Sequence, residues 1–540
     1  MPRFAIPESS APPPTPPPAR RRLRHRVPIR VRHYWKLLVT CAAFVVICAV
    51  VFSTVRVAPL VVSSSDQTAD EVTQDIAGAV DLFDAGVAHT ITLTYREKDY
   101  QEILDDYWDD GEKTWLEADL TIDGATIPSV GIRLKGNSTL SGLTRNGESR
   151  RAGAGRGGLP GGGQMAGPGG AQPDGAQPGG AGPGGFGRSS LKAEEPENLP
   201  WLVRFDEFID GRRYQGHREV TLRVAGMGGG GGTTVLNEAV ALGALAAAEV
   251  DAQRYAYSSF TVNDRPTTTR LVVEHPDETF ADALGESGVL YKSTSTSQFT
   301  DQGDDPIDYA DDFKQITLKG SQDLQPVIKL IKWVQESSDA DFDAHLADHV
   351  DVTSFARYVA AQNLLLNFDD MSGPGRNYYL WYDLKTKKFS VIGWDYNLTF
   401  SGEATQGPHD AGRMGGRSPQ DGAAGDQPPA GMDRPGAGQF PDGGDGEGGR
   451  ARGMMSGHKL KERFLASAAF KTVYEDAYRE LYQKIYAQNG AQKALDEIVA
   501  VLPTVGGYQA QTTDTAVEQL RALIGRRSDH LATDAVITSG

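Results

Sequence analysis

Cysteine is nearly absent from this chain of 540 residues. The two cysteines, Cys41 and Cys48, both lie in the uncharged run 37–55. The rest of the chain therefore has neither disulfides nor thiol chemistry, and its stability must come from a hydrophobic core alone. The sequence also shows no Ser-His-Asp or Cys-His arrangement, which argues against nucleophilic hydrolases of those classes.

Acidic residues outnumber basic residues beyond residue 56. The formal net charge of the whole chain is −17. Residues 1–56 carry ten Lys and Arg against a single acid, Glu8, which gives them a net charge of +9. Residues 57–540 therefore carry −26, because the two segments together must give the total. So acidic a segment argues against nucleic acid as a partner.

A long hydrophobic run occurs at residues 37–55, where nineteen consecutive residues carry no charge. This is about the length of one membrane-spanning helix, whereas the apolar core of a cleaved signal peptide has only about 7–15 residues. The proline-rich segment 1–36 before it is basic, and such segments stay in the cytoplasm. We therefore predict a single transmembrane helix in the cell membrane, with a cytoplasmic N-terminus. Residues 56–85 form a stalk, and the main domain is extracytoplasmic.

Two segments of low complexity interrupt the main domain. Residues 146–190 and 402–456 consist mostly of Gly, Pro, Ala, Gln and Asp. This composition buries too little apolar surface to offset the entropy of the chain. We predict that both are disordered insertions into one α+β domain, which extends over residues 86–535. Outside them, strand-like alternation and helical periodicity recur; residues 97–107, for example, place their apolar side chains on one helix face.

The segment 367–400 is the most informative part of the chain. Its aromatic run 378–382 and its apolar run 389–394 flank a polar turn at 383–387. Two strand-like runs separated by a short polar turn predict a β-hairpin. This hairpin fixes the positions of the polar residues at both of its ends.

Polar side chains come together at the open end of the predicted hairpin. Asn377 lies opposite Trp394 or Asp395, and Asp369 and Asp370 lie just upstream. Carboxylate and amide oxygens are suitable ligands for a divalent cation that carries phosphate. The alternative is that Asp and Asn collect at hairpin ends only because they favour turns.

Several short motifs occur in a fixed order along the chain. They are residues 130–138 (VGIRLKGNS), 206–208 (DEF), 236–238 (LNE), 288–292 (GVLYK), 367–369 (NFD), 377–380 (NYYL) and 394–396 (WDY). Together they resemble the CotH family, which is named for a spore-coat protein kinase. The resemblance extends from about Val87 to the C-terminal helices and excludes the two predicted insertions.

The resemblance implies a divergent, two-lobed protein-kinase-like fold and a transfer of the ATP γ-phosphate. The acceptors are Ser or Thr residues of surface or secreted proteins, and Mg²⁺ or Mn²⁺ is the cofactor. By this resemblance Asp369 is the catalytic base, and Asn377 and Asp395 are the metal ligands. Asp369 and Asn377 are eight residues apart, whereas the ordinary kinase loop separates them by five. A local insertion at 372–375 explains the difference, and Asp370 is an alternative base.

The cation that should hold the phosphates is not fixed by the resemblance. Glu238 opens the helix that resembles the kinase helix αC, and its cationic partner is Lys135, Arg204 or Lys292. Arginine is a poor substitute where a compact point charge is required. Because no lysine is clearly placed to hold the phosphates, a second interpretation stays open. In it the chain is a non-catalytic surface protein, an adhesin or an envelope protein.

Overall fold

A computed structural model describes residues 40, 44, 71–136, 139–150, 191–224, 235–410 and 457–539. The chain divides into two units, Met1–Val62 and Ser63–Gly540. The predicted span 37–55, apart from Thr40 and Phe44, and most of both predicted insertions lie outside the described residues. Within the described ranges, no helix is long and apolar enough to cross a membrane.

The described residues form a mixed α+β structure, as the sequence predicts. Its strands are β1 (Gln74–Ile76), β2 (Ala88–Thr94), β3 (Leu116–Ile122), β4 (Ala125–Leu134), β5 (Thr144–Arg145), β6 (Glu148–Ser149), β7 (Trp201–Arg204), β8 (Arg212–Tyr214), β9 (Glu219–Arg223), β10 (Tyr255–Val262), β11 (Thr268–Glu274), β12 (Gly288–Ser293), β13 (Phe313–Gln315), β14 (Tyr378–Asp383) and β15 (Phe389–Gly393). Its helices are α1 (Glu97–Asp109), α2 (Leu236–Ala247), α3 (Glu278–Leu284), α4 (Gln325–Glu336), α5 (Asp339–His349), α6 (Val352–Leu364), α7 (Lys459–Ala466), α8 (Lys471–Tyr482), α9 (Gly490–Val501), α10 (Ala510–Ala532) and α11 (Ala535–Thr538).

Seven of these strands close into a barrel. The strand order is β10-β11-β9-β7-β4-β3-β2, and the barrel closes where β2 pairs in parallel with β10. Buried and exposed residues alternate along β2, as expected for a strand with one face toward a core. Helix α1 packs on the barrel through the apolar face that the sequence predicts. The other large sheet has the order β13-β12-β14-β15.

A second hydrophobic core joins all of these helices except α1 and α3 to the four-stranded sheet. Helix α2 lies in this core, and it approaches α9 so closely that a Cβ added at Gly243 would lie 2.8 Å from the Cβ of Ala494. The glycine therefore sets the position of α2. This matters for the site because α2 carries Glu238.

The outer parts of both predicted insertions are folded. Strands β5 and β6 form a short hairpin that ends at Ser149, beyond the predicted insertion start at residue 146. At the second insertion, Arg527 donates to the carbonyl oxygen of Ala404 (3.2 Å) and also to that of Gln406. The predicted boundaries thus include residues that backbone and side-chain hydrogen bonds hold in place.

A fully buried arginine, Arg270, joins several backbone segments of the barrel through hydrogen bonds. Arg270 donates to the backbone oxygens of Arg223 (2.8 Å), Glu197 (2.6 Å) and Leu199 (2.5 Å). Its guanidinium lies 5.3 Å from the ring centre of Phe260. Burial lowers the pKa of Arg270 to about 9. The arginine therefore satisfies several buried carbonyl groups at one point.

We expect Arg270→Met to lower the free energy of unfolding by about 3 kcal/mol or more, because each buried acceptor left without a partner costs about 1–3 kcal/mol. Denaturant unfolding of the variant and the wild type measures the difference. Arg96→Met is the matched control, since the Arg96 side chain is exposed and pairs with Asp99 three residues farther along. The control should change stability by less than about 0.5 kcal/mol. Equal effects of the two substitutions would contradict the role assigned to Arg270.

Candidate active site

The hairpin β14–β15 has the register that the sequence predicts. Tyr378 pairs with Gly393, and Tyr382 pairs with Phe389. At the open end, the backbone N–H of Trp394 donates to the carbonyl oxygen of Asn377 at 3.2 Å. Of the two predicted neighbours of Asn377, Trp394 and Asp395, the structure places Trp394 opposite it.

Asp369 is buried and bonded directly to Asn377. The amide nitrogen of Asn377 donates to Asp369 Oδ2 at 2.9 Å and to the Asp369 carbonyl oxygen at 3.2 Å. The backbone N–H of Gly375 donates to Asp369 Oδ1 at 2.5 Å. A Cβ at Gly375 would lie 2.7 Å from the Asp369 carboxylate, and one at Gly373 would lie 2.4 Å from the Asp369 Cα. The local insertion thus wraps around Asp369, and it needs glycine to do so.

Asp370 has different surroundings. It is 3 % exposed, and its Oδ2 forms an ion pair with Lys461 of α7. Its Oδ1 accepts the backbone N–H of Ser372 at 2.8 Å. The charge of Asp370 is therefore compensated by a lysine, whereas Asp369 accepts its hydrogen bonds from the neutral groups of Asn377 and Gly375.

Asp395 follows Trp394 at the open end of the hairpin and has a left-handed backbone conformation, with φ 58° and ψ 66°. Non-glycine residues in such conformations concentrate at functional sites. Burial is the main cause that raises the pKa of Asp369 to about 7, and the negative charges of Asp395 and Asp370 add to it. Asp369, Asn377 and Asp395 are thus gathered at one end of the hairpin.

Arg223 bridges Asp395 and Glu238. Its Nη2 lies 2.7 Å from Glu238 Oε1, and its Nη1 lies 3.2 Å from Asp395 Oδ1. Glu238 is 1 % exposed, and burial raises its pKa to about 7 even though the charge of Arg223 favours the ionised form. Arg223 is therefore the cation that pairs with the helix α2 glutamate.

Sequence reasoning missed Arg223 and proposed Lys135, Lys292 or Arg204, the last from the neighbouring strand. Arg204 instead pairs with Asp206 (2.8 Å) and Glu219 (3.8 Å). Strands β7 and β9 are antiparallel with Arg204 opposite Glu219, so Arg223 lies four residues farther along, about 13 Å away. Arg223 could have been found from its place in the sequence, because it is the last residue of the last described strand before α2.

Lys135 and Lys292 face the same indole ring as Arg223. Their Nζ atoms lie 4.7 and 5.2 Å from the ring centre of Trp394, and the Arg223 guanidinium lies 4.9 Å from it. Lys135 also donates to Thr221 Oγ1 at 3.0 Å. Burial, together with the charges of the neighbouring cations, lowers the pKa of Lys135, and burial lowers that of Lys292 to about 8. The carboxylates of Glu219 and Asp395 oppose these shifts, so the positive charge here is partly compensated. Because Arg223 is already paired with two carboxylates, the two lysines are the cations best suited to an anion.

The same site has oxygen atoms suited to a divalent cation. Among the described residues, no group of three His, Cys, Asp or Glu side chains could hold a metal. The predicted residues are not a group of that kind, because they combine the carboxylates of Asp369 and Asp395 with the amide of Asn377. Asp395 Oδ1 is buried without an aligned hydrogen bond among the described residues. A cation beside Asp395 and Asp369 would offset the negative charge that adds to the effect of burial on the pKa of Asp369, so these residues fit one.

A comparison with protein families agrees with six of the seven motifs, whereas the motif at 130–138 and the predicted start of the resemblance near Val87 precede the matched residues. The family model described as CotH kinase protein matches residues 186–530. The chain belongs to the CotH family. The matched part of this CotH chain contains Arg204, Arg223 and Glu238 as well as the whole hairpin, whereas Lys135 and strands β2–β4 precede it. A comparison with curated proteins found no match.

Proposed function

We propose that this CotH chain is a protein kinase that transfers the γ-phosphate of ATP to Ser or Thr residues of surface or secreted proteins. One observation carries the proposal. Asp369 is hydrogen-bonded to Asn377 at the end of the hairpin where Asp395 follows Trp394. Arg223 pairs with Asp395 there and lies, like two lysines, against the Trp394 ring. Oxygen ligands for a metal next to cations for phosphate are what phosphoryl transfer requires.

Each residue has a defined role in the proposed reaction. Asp369 orients the acceptor hydroxyl and accepts its proton as the bond to phosphorus forms. Lys135, Lys292 and Arg223 bind the phosphate oxygens, and Glu238 holds Arg223 in place. Asn377 and Asp395 would hold Mg²⁺ or Mn²⁺, which supplies neutralisation of the phosphate charge when bound.

The proposed location follows from the N-terminal sequence. Residues 37–55 would anchor the protein in the cell membrane, with the basic segment 1–36 in the cytoplasm and the kinase domain outside. The contrast between the charge of +9 for residues 1–56 and that of −26 for residues 57–540 supports this orientation.

The test is phosphate transfer from labelled ATP by the full chain, with Mg²⁺ or Mn²⁺, to itself and to a generic Ser/Thr acceptor. We expect Asp395→Ala to lower the rate by about 100-fold or more, because a bound cation contributes several kcal/mol to the transition state. Asp282→Ala is the matched control, since Asp282 is exposed on α3. Equal incorporation of label by the wild type and Asp395→Ala would reject the proposal.

A non-catalytic role on the cell surface is the second candidate, and one contact favours it. Arg223 lies against the Asp395 oxygen that a metal would use, and it stands where a kinase has a lysine. Metal-dependent nucleotide binding separates the two functions. A thermal-shift series with ATP and Mn²⁺ should raise the melting temperature of a kinase, and the absence of any shift would favour the adhesin or pseudokinase.

A further inference from the structure

The first turn of α7 lies against the loop that carries Asp369. Lys461 Nζ pairs with Asp370 Oδ2, and the backbone N–H of His458 contacts Ser372 Oγ at 3.4 Å. The His458 ring is also 3.1 Å, through Nε2, from the hydroxyl of Tyr378 at the start of β14. Helix α7 therefore touches both ends of the loop 369–377.

The helix that makes these contacts is itself firmly held. Leu460 and Phe464 are buried in the helical core. Arg463 donates to the carbonyl oxygen of Val334 (2.6 Å) and to Ser337 Oγ (2.9 Å). The position of Lys461 is thus fixed by packing on the opposite side of α7.

The ion pair with Lys461 compensates the negative charge of Asp370, which would otherwise repel the adjacent carboxylate of Asp369. Asp370 is buried next to Asp369, and its charge is one of the causes that raise the Asp369 pKa. Among the described residues, Lys461 is the cation that contacts Asp370. A buried carboxylate without a cation must take up a proton or turn toward solvent. Asp369 is the adjacent residue, so such a turn would move its carboxylate.

We propose that Lys461 is a positioning residue for the phosphoryl transfer. Through the ion pair with Asp370 it holds the loop 369–377 so that the Asp369 carboxylate stays against Asn377. The inference rests on the proposed function for its catalytic consequence, whereas its structural part concerns the loop alone. Lys461 does not touch the reacting atoms.

The kinetic test compares the full chain with Lys461→Met. We expect kcat to fall by about 10- to 100-fold, because a displacement of about 1 Å can cost 100-fold in rate. The KM for ATP should change by less than about threefold, since Lys461 lies outside the cations proposed to bind phosphate. Lys459→Met is the matched control on the same turn, because Lys459 is exposed, and it should behave as the wild type.

A rescue variant separates charge pairing from a general loss of packing. Adding Asp370→Asn to Lys461→Met removes the unpaired carboxylate, and it should restore most of the lost kcat and any lost melting temperature. Lys461→Arg keeps the charge and should retain more activity than Lys461→Met. A double variant that is no better than Lys461→Met would overturn the inference.

Hydrogen–deuterium exchange gives a readout that does not depend on activity. Amides of residues 369–377 should exchange faster in Lys461→Met, remain unchanged in Lys459→Met, and recover in the double variant. Unchanged exchange in Lys461→Met together with an unchanged kcat would refute the positioning role. If the wild type transfers no phosphate, the proposed function fails, and the exchange data still decide whether Lys461 positions the loop.

Discussion

Asp369→Asn is expected to lower kcat by about 100- to 10,000-fold, the usual contribution of a positioned general base. Asparagine has nearly the same shape, and its one oxygen can keep the hydrogen bond from Gly375 but not also the one from Asn377. It cannot take the proton of an acceptor hydroxyl. The KM for ATP should stay within about threefold, since Asp369 contacts the acceptor rather than the nucleotide. Steady-state phosphorylation of a generic Ser/Thr acceptor measures both constants.

The same variant should not lose stability when no metal is bound. Asp369 has a pKa of about 7 in the fold, against an ordinary value of 3.8. Because the folded state resists its ionisation, this carboxyl makes the fold less stable as the pH rises from about 4 to about 7. Asparagine removes that cost, so the metal-free variant should melt at the same temperature or higher at about pH 8.

Asp370→Asn is the control, and the opposite result is expected for it. This substitution removes the ion pair between Lys461, which is half-buried, and the buried side chain at 370, so the melting temperature should fall. Its kcat should fall less than that of Asp369→Asn. A larger catalytic loss in Asp370→Asn than in Asp369→Asn would exchange the roles of the two residues.

The hairpin could be predicted from the sequence because its determinants are local. Strand alternation and a short polar turn limit which residues can pair, so the sequence narrows the neighbour of Asn377 to Trp394 or Asp395, and the structure selects Trp394. Ser372 to Gly375 could likewise be interpreted as a local insertion. The structure adds that Gly373 and Gly375 leave the space that Asp369 occupies.

The cation opposite Glu238 could not be predicted in the same way. It depends on the antiparallel register of β7 and β9 and on the packing of α2 against α9, which no local pattern encodes. The barrel itself closes by a pairing of β2 with β10, strands far apart in sequence. Such long-range contacts decide which charged residue at a strand end lies next to Glu238. In this structure that residue is Arg223 and not Arg204. The membrane span at 37–55 remains a prediction.

Arg223→Met is expected to have the second large effect, on both stability and activity. Glu238 and Asp395 would each lose their guanidinium partner, and Glu238 has almost no access to water. Removing one partner of a buried ion pair costs about 3–5 kcal/mol because an uncompensated charge stays behind. The loss should therefore appear in denaturant unfolding as well as in phosphate transfer.

Two variants show which part of the effect is the buried charge and which is catalysis. Adding Glu238→Gln to Arg223→Met neutralises the orphaned carboxylate, and it should recover about half or more of the lost stability without restoring activity. Arg204→Met is the matched control from the neighbouring strand, because Arg204 pairs with Asp206 and not with Glu238. It should leave the activity far closer to that of the wild type than Arg223→Met does. If Arg204→Met abolished transfer while Arg223→Met retained it, the phosphate-binding cation would lie on β7, and the Arg223 bridge would be a structural ion pair only.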